Sequence, residues 1–199
     1  MRIRFRQPFF AMIAAAALIP AACQTMTTQG PPADPALLAK ANSGDAASEV
    51  MVGDSYAAGS GVERNSRRLA EDYKQAAEWY RRAAEQRFLP GQLRLAAMYR
   101  DGKGLSRDMT LAATWYRKAA EQGDAGAQAT LGLLYSMGQG VPHSDVEAYY
   151  WFDLAAAVKG PKQEQFASNR QVVGARITAD ELAEVQERVE KWLAEHPRQ

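Results

Sequence analysis

Ser55, in Val50-Met51-Val52-Gly53-Asp54-Ser55-Tyr56, is the first residue whose setting suggests chemistry. A serine hydroxyl becomes a nucleophile only when a base takes its proton and a third group orients that base. His196, in Ala194-Glu195-His196-Pro197, is the base available to it. Gly102-Lys103-Gly104 suggests phosphate binding, but a phosphate loop needs G-x-x-x-x-G-K-[ST] between a strand and a helix. Here Leu105 takes the Ser/Thr place and no strand precedes, so these are turn glycines. Glu147, Asp153, Glu181 and Glu184 fall on helical surfaces, where carboxylates cap helices and pair with cations. His143 follows Pro142 in an inter-helix loop and reads as solvated. With two histidines and one cysteine, the chain has too few ligands for a metal cluster and no disulfide framework. Neither a metal nor a cofactor is expected.

Composition narrows the partner class. The chain has 199 residues, 47% of them hydrophobic, enough for one domain or a short repeat array with a buried core. Lys and Arg number 24 against 23 Asp and Glu, a formal charge of +1. Nucleic acid requires a clustered basic excess, so no nucleic-acid partner is expected.

The N-terminus reads as an address. Arg2, Arg4 and Arg6 precede an uninterrupted apolar run from Phe9 to Ile19, followed by small residues. That is the pattern of an export signal, expected over residues 1–22, and the run is too short to span a bilayer. Cys23 follows directly in Leu18-Ile19-Pro20-Ala21-Ala22-Cys23. This resembles the lipobox of bacterial lipoproteins, in which the cysteine is acylated and becomes the new N-terminus. Pro20 stands where that family usually has Leu, and Leu18 lies two residues earlier. An ordinary cleaved signal, giving a soluble periplasmic protein, is the alternative. Residues 23–35, polar and proline-containing, read as a flexible tether. Removal of residues 1–22 leaves 21 basic against 23 acidic residues.

The body of the chain repeats, which decides its architecture. Ala77-Glu-Trp-Tyr-Arg-Arg-Ala-Ala-Glu-Gln returns as Ala113-Thr-Trp-Tyr-Arg-Lys-Ala-Ala-Glu-Gln, and more weakly from Tyr149. Trp79, Trp115 and Trp151 are 36 residues apart. Upstream of each, a tyrosine (Tyr56, Tyr99, Tyr135) precedes G-x-G and an aliphatic residue. Each unit reads as two antiparallel helices. Ala127, Leu131, Leu134 and Tyr135 share one face of the first helix in the third copy, and G-x-G turns the chain. Asp108 caps the second helix of copy two, and Ser144-x-x-Glu147 fits a capping box in copy three. Gly123 stops the helix of copy two; Arg87 replaces it in copy one, where the turn must differ or be strained.

Copy one also holds seven extra residues between Asn65 and Asp72, roughly two helical turns. They lengthen a helix starting near Ser66 without rotating its buried face. Ala36 to Ala46 matches the end of a second helix, so a half-repeat opens the array. Lys162 to Ile177 reads as one more helix, and Thr178-x-x-Glu181 caps a final amphipathic helix to about Glu195. The expected fold is an all-α solenoid of three helix-turn-helix repeats over residues 36–160, with helical caps at both ends, the C-terminal one over residues 161–199.

The consensus Ala-x₃-Leu-Gly-x₂-Tyr-x₂-Gly-x-Gly-Val followed by Ala-x₂-Trp-Tyr-Arg-Lys-Ala-Ala-Glu-Gln-Gly resembles the Sel-one-like repeat, a relative of the tetratricopeptide repeat. Gln128, Leu131, Gly132, Tyr135, Gly138, Gly140, Trp115, Tyr116, Ala119 and Ala120 carry the resemblance. It implies an α-solenoid that binds other proteins, commonly in bacterial envelopes. Some bacterial relatives staple each repeat with a disulfide, which one cysteine does not permit. Val50 to Gly59 also resembles the first block of GDSL-type esterases. Those enzymes place an Asp three residues before the His, where this chain has Leu193. The same stretch aligns with the other two repeat copies, so Gly53-Asp54-Ser55 reads as part of a repeat helix. The Trp-Tyr stripe reads as packing rather than a ligand box.

What remains is surface. In tetratricopeptide-like arrays the first helices line the concave face where partners dock. With Leu95, Met98 and Tyr99 buried, the opposite face offers Arg94, Ala97 and Asp101. The repeat offsets carry these to Met51, Asp54 and Ala58 in the first unit and to Thr130, Leu133 and Met137 in the third. Leu133 and Met137 are candidate apolar anchors for a peptide or helix, unless they pack beneath the C-terminal helices. The expected function is a non-enzymatic scaffold, lipid-anchored through Cys23 at the periplasmic side of a bacterial membrane, the outer one favoured by Gln24, with an unidentified envelope protein as partner. A polysaccharide-binding or hydrolytic module on the same solenoid is the alternative.

Overall fold

The computed structural model describes residues 33–58 and 66–197. The expected signal segment, Cys23 and most of the tether lie outside the described residues, as does the G-x-G turn of the first copy. Nine helices and no strands are found among the described residues. They are α1 (Pro35–Asn42), α2 (Ala46–Ala58), α3 (Ser66–Glu85), α4 (Leu89–Asp101), α5 (Met109–Glu121), α6 (Ala125–Met137), α7 (Asp145–Ala156), α8 (Gln163–Gly174) and α9 (Ala179–Glu195). Consecutive helices from α1 to α8 pack on one another, so the expected all-α solenoid is the fold. α3 starts at Ser66 and runs 20 residues, against 13 in α5, so the inserted seven lengthen one helix. One boundary moves. Ala33 is buried and the Asp34 carboxylate caps α1 by accepting from the Ala36 amide, so residues 33–35 belong to the packed cap rather than to the tether.

The helix ends follow local rules. Asp108 accepts from the amides of Thr110 and Leu111, and Ser144 accepts from the Glu147 amide. Thr178 and Glu181 form a complete capping box on α9, each side chain accepting from the other's backbone amide. Gly104 and Gly140 occupy equivalent turns with φ of 69° and 71°. A Cβ at either position would run into a backbone carbonyl, of Tyr73 or of Met109, so these turns need glycine for space as well as dihedral. Arg87 takes φ 62° where Gly44 and Gly123 take 90° and 88°. The strained version of that turn is therefore the one adopted.

The core runs along the array as three clusters bridged by the partly buried Tyr56, Tyr99 and Trp115. Leu95, Leu131, Phe152 and Leu154 are at most 1% exposed, each contributing about 1.5–3 kcal/mol by burial. Tyr80 and Tyr116 are buried beside paired alanines, Ala83–Ala84 and Ala119–Ala120, whose small side chains let the next helix approach. At the C-terminal end the pattern breaks. α9 does not fold back on α8 as a hairpin but crosses onto α7, burying Val185 and Val189. Arg188 on α9 pairs with Glu147 at 2.9 Å and lies 4.6 Å above the Tyr150 ring.

Candidate interaction face

The sequence places three helices, α2, α4 and α6, with equivalent residues facing outward, and the structure divides that face chemically. At the first and second repeats it is charged. Arg94 on α4 reaches Asp54 on α2, with Nε 3.1 Å from Oδ1 and Nη2 3.3 Å from Oδ2. From α3 beneath, the Tyr80 hydroxyl donates to the same Oδ1 at 2.7 Å. Burial, and then the Asp54 carboxylate, push the Tyr80 hydroxyl well above its ordinary value, so it remains a donor. Asp101 accepts from Arg100 at 2.7 Å, which holds its carboxyl below the ordinary range. Arg94, Ala97, Asp101 and Lys103 wall a groove of about 260 Å³ over Tyr73 and Tyr80. Met51, one turn before Asp54, stands exposed beside it. Ala58 ends α2 and is exposed.

At the third repeat the same face is apolar. Leu133 is 42% exposed and Met137 53%, so neither packs beneath the C-terminal helices. The Thr130 hydroxyl is taken up locally, donating to the Gly126 carbonyl at 2.8 Å. Leu133 lines a shallow groove of about 110 Å³ with Ser136 on α6, Phe152 on α7, and Val172 and Arg176 at the end of α8. Val172 is 55% exposed. Leu133, Met137 and Val172 thus supply three of the five large hydrophobic side chains left exposed among the described residues. Val172 and the Asp54–Arg94 pair are contributors that the repeat pattern alone does not reveal, since α8 lies outside the three copies and the ion pair joins different copies.

The catalytic reading of Ser55 finds no support in the geometry. Ser55 sits on α2, its hydroxyl donating to the Met51 carbonyl at 3.0 Å, as serines in helices do. His196 ends α9 behind the third repeat, stacked on Trp192 at 4.2 Å with Nδ1 2.9 Å from the Trp192 carbonyl. Gly102 is the left-handed C-cap of α4. His143 is exposed and lies 3.7 Å from Asp145. Among the described residues, no three His, Cys, Asp or Glu side chains gather as a metal site would require. No helix there is long and apolar enough to cross a membrane.

The Trp-Tyr stripe resolves into packing. Trp79 lies under Arg82 at 4.5 Å and Trp115 under Lys118 at 4.0 Å, each a cation three residues on. In the third copy Leu154 takes the cation's place and Trp151 is 6% exposed.

Known proteins agree with this architecture. A family model described as the Sel1 repeat matches residues 46–88, 89–124 and 125–157, one match per repeat. A Sel1 repeat protein from Oxalobacter formigenes is 35% identical, with a TM-score of 0.55 over 65% of this chain and 92% of that one. A protective antigen of uropathogenic Escherichia coli strains, displaying an SLR fold, is 27% identical with a TM-score of 0.57 over 80% of this chain. This chain spans 40% of the length of that antigen. No curated protein matches the chain.

Proposed function

The chain belongs to the Sel1 repeat family, and from that premise we propose that it is a non-enzymatic adaptor of the bacterial envelope that grips a protein partner along the α2–α4–α6 face. Sel1 repeats generally serve as protein–protein interaction scaffolds. The observation that carries the reading is the exposure of Leu133 and Val172 around one groove, with Met137 exposed one turn beyond Leu133, on an array whose earlier repeats carry a charged groove. Apolar side chains left exposed together beside fixed charges give a partner both an anchor and an orientation. Leu133 and Met137 bind the partner's apolar residues; Arg94, Asp54 and Asp101 set its register. Met51, Ala97 and Thr130 complete the contact strip.

Cys23 attaches the adaptor to the periplasmic side of a membrane, the outer membrane in this reading, and residues 24–32 give it reach. The supports are the basic start, the apolar run Phe9 to Ile19 and the position of the sole cysteine. Intact mass of the protein from its native envelope tests the anchor: acylation adds several hundred daltons at a Cys23 N-terminus, and an unmodified mature chain would refute it. Partner binding is tested by Leu133→Asp with Met137→Asp, which abolishes capture of the partner while the helical circular dichroism spectrum persists. Retention of both would place the binding face elsewhere.

A further inference from the structure

The open groove over Trp115 has an internal counterpart that is already filled. Between the first two repeats, a groove of about 430 Å³ is lined by Arg87, Gln92, Trp115, Lys118, Glu121 and Gln122. Moving 36 residues along the chain converts these to Gly123, Gln128, Trp151, Leu154, Ala157 and Val158. There Trp192 of α9 packs into the core around Trp151, and its ring lies 3.7 Å from where a Cβ on Gly123 would stand. Trp151 is buried, whereas Trp115, its equivalent, is only half-buried.

We propose that the groove over Trp115 is a docking site for an amphipathic helix of a partner protein that presents one aromatic side chain, as α9 presents Trp192 one repeat further on. The site is separate from the α2–α4–α6 face and stands or falls independently of it. Its chemistry specifies the occupant. Arg87 brings a cation to the position where the Trp192 ring lies beside Gly123, and Lys118 stands 4.0 Å over Trp115, so a ring entering here meets cations as well as an aromatic wall. Two cations, Arg87 and Lys118, and two acids, Glu85 and Glu121, rim the groove, so the docking helix carries charges of both signs around its aromatic residue. α9 carries both signs: Thr178 to Pro197 has six carboxylates with Arg188 and Lys191.

The peptide Thr178 to Pro197, added to the full chain, is the probe. Its binding is read from the Trp115 indole N–H resonance, assigned with a Trp115→Phe chain. The expected result is a saturable shift of that resonance, retained by a Trp192→Phe peptide and weakened at least tenfold by Trp192→Ala. Arg87→Gly separates docking from folding. It relieves a left-handed dihedral and raises the melting temperature, yet it weakens peptide binding several-fold because the cation is lost. An unmoved Trp115 resonance at millimolar peptide would overturn the proposal. So would shifts confined to Tyr150 and Trp151, which would mean that the peptide only exchanges with the resident α9, or an Arg87→Gly chain that binds the peptide as tightly as the parent.

Discussion

The Gln122 carboxamide donates to Gln92 Oε1 at 2.6 Å, joining the end of α5 to the buried start of α4. The same position in the first repeat pairs Gln86 with Glu49 Oε2 at 2.8 Å. In the first two units, then, a buried polar residue of the first helix is met by a glutamine closing the second. Gln92 and Gln128 also donate to backbone carbonyls eight residues upstream, of Ala84 and Ala120. These bonds tie consecutive hairpins together inside an otherwise alanine-lined seam.

Glu49 is the weak member of this ladder. It is 3% exposed, and burial raises its carboxyl above the ordinary value. The folded chain therefore holds that proton more tightly than the unfolded chain does. Stability from this group is full below the unfolded value and falls as pH rises through the raised one. Glu49→Gln should stabilise the fold by about 1 kcal/mol at pH 7. The gain should vanish as pH drops below the carboxylate range, a trend that urea denaturation at several pH values will reveal.

The third repeat breaks the ladder. Val158 stands where Gln122 and Gln86 stand, and Gln128 Oε1 is buried without a hydrogen-bond donor. An unsatisfied buried acceptor costs about 1–3 kcal/mol. Val158→Gln should restore the missing bond and raise the melting temperature. Gln122→Val should impose the same defect on the second repeat and lower it.

Arg87 predicts a backbone effect. A non-glycine residue at φ 62° costs about 1–2 kcal/mol. Arg87→Gly should recover about 1 kcal/mol of this, since glycine also has more freedom to lose on folding. The exchange Gly123→Arg should destabilise by a similar amount, because that backbone has φ 88°. Paired thermal melts check both.

The α9 capping box should be pH-sensitive. The backbone amide and hydroxyl of Thr178 both donate to Glu181, holding its carboxyl below the ordinary value. That contribution is present above the unfolded value and is lost as pH falls through the depressed one. Thr178→Ala should therefore loosen α9 at neutral pH, seen as faster amide exchange across Ala179 to Leu182, and the difference from the parent chain should narrow in acid to what the bond from the Glu181 amide to the Thr178 hydroxyl contributes.

Much of this fold is legible in the sequence because its determinants are local. The spacing of Trp79, Trp115 and Trp151 announces the repeats, and Asp108, Ser144 and Thr178 mark helix starts that the structure reproduces. The lengthened α3 follows from seven residues being two turns. Elements that depend on how helices lie across one another are not legible this way. The crossing of α9 onto α7, in place of a hairpin with α8, is set by side chains such as Val185 and Val189 choosing between two apolar surfaces. Nor does spacing predict that Leu133 and Met137 remain uncovered, because this depends on where the end of α8 comes to rest. The pairing of Asp54 with Arg94 joins residues 40 positions apart and reflects the offset between hairpins. The repeat offsets name the residues of the candidate face; its division into a charged and an apolar half depends on how the helices lie.

On the proposed function the α2–α4–α6 face, and Leu133 with Met137 in particular, holds a protein partner. Photo-cross-linking residues placed at Thr130 and Ala97, with controls at Gln75 and Glu78 on α3, test it most directly in cells that produce the chain. One protein is expected to be captured from Thr130 and Ala97 but not from the controls, and lost when Leu133→Asp and Met137→Asp are introduced into a chain that still folds. Equal capture from α3, or capture unaffected by the two aspartates, would contradict it.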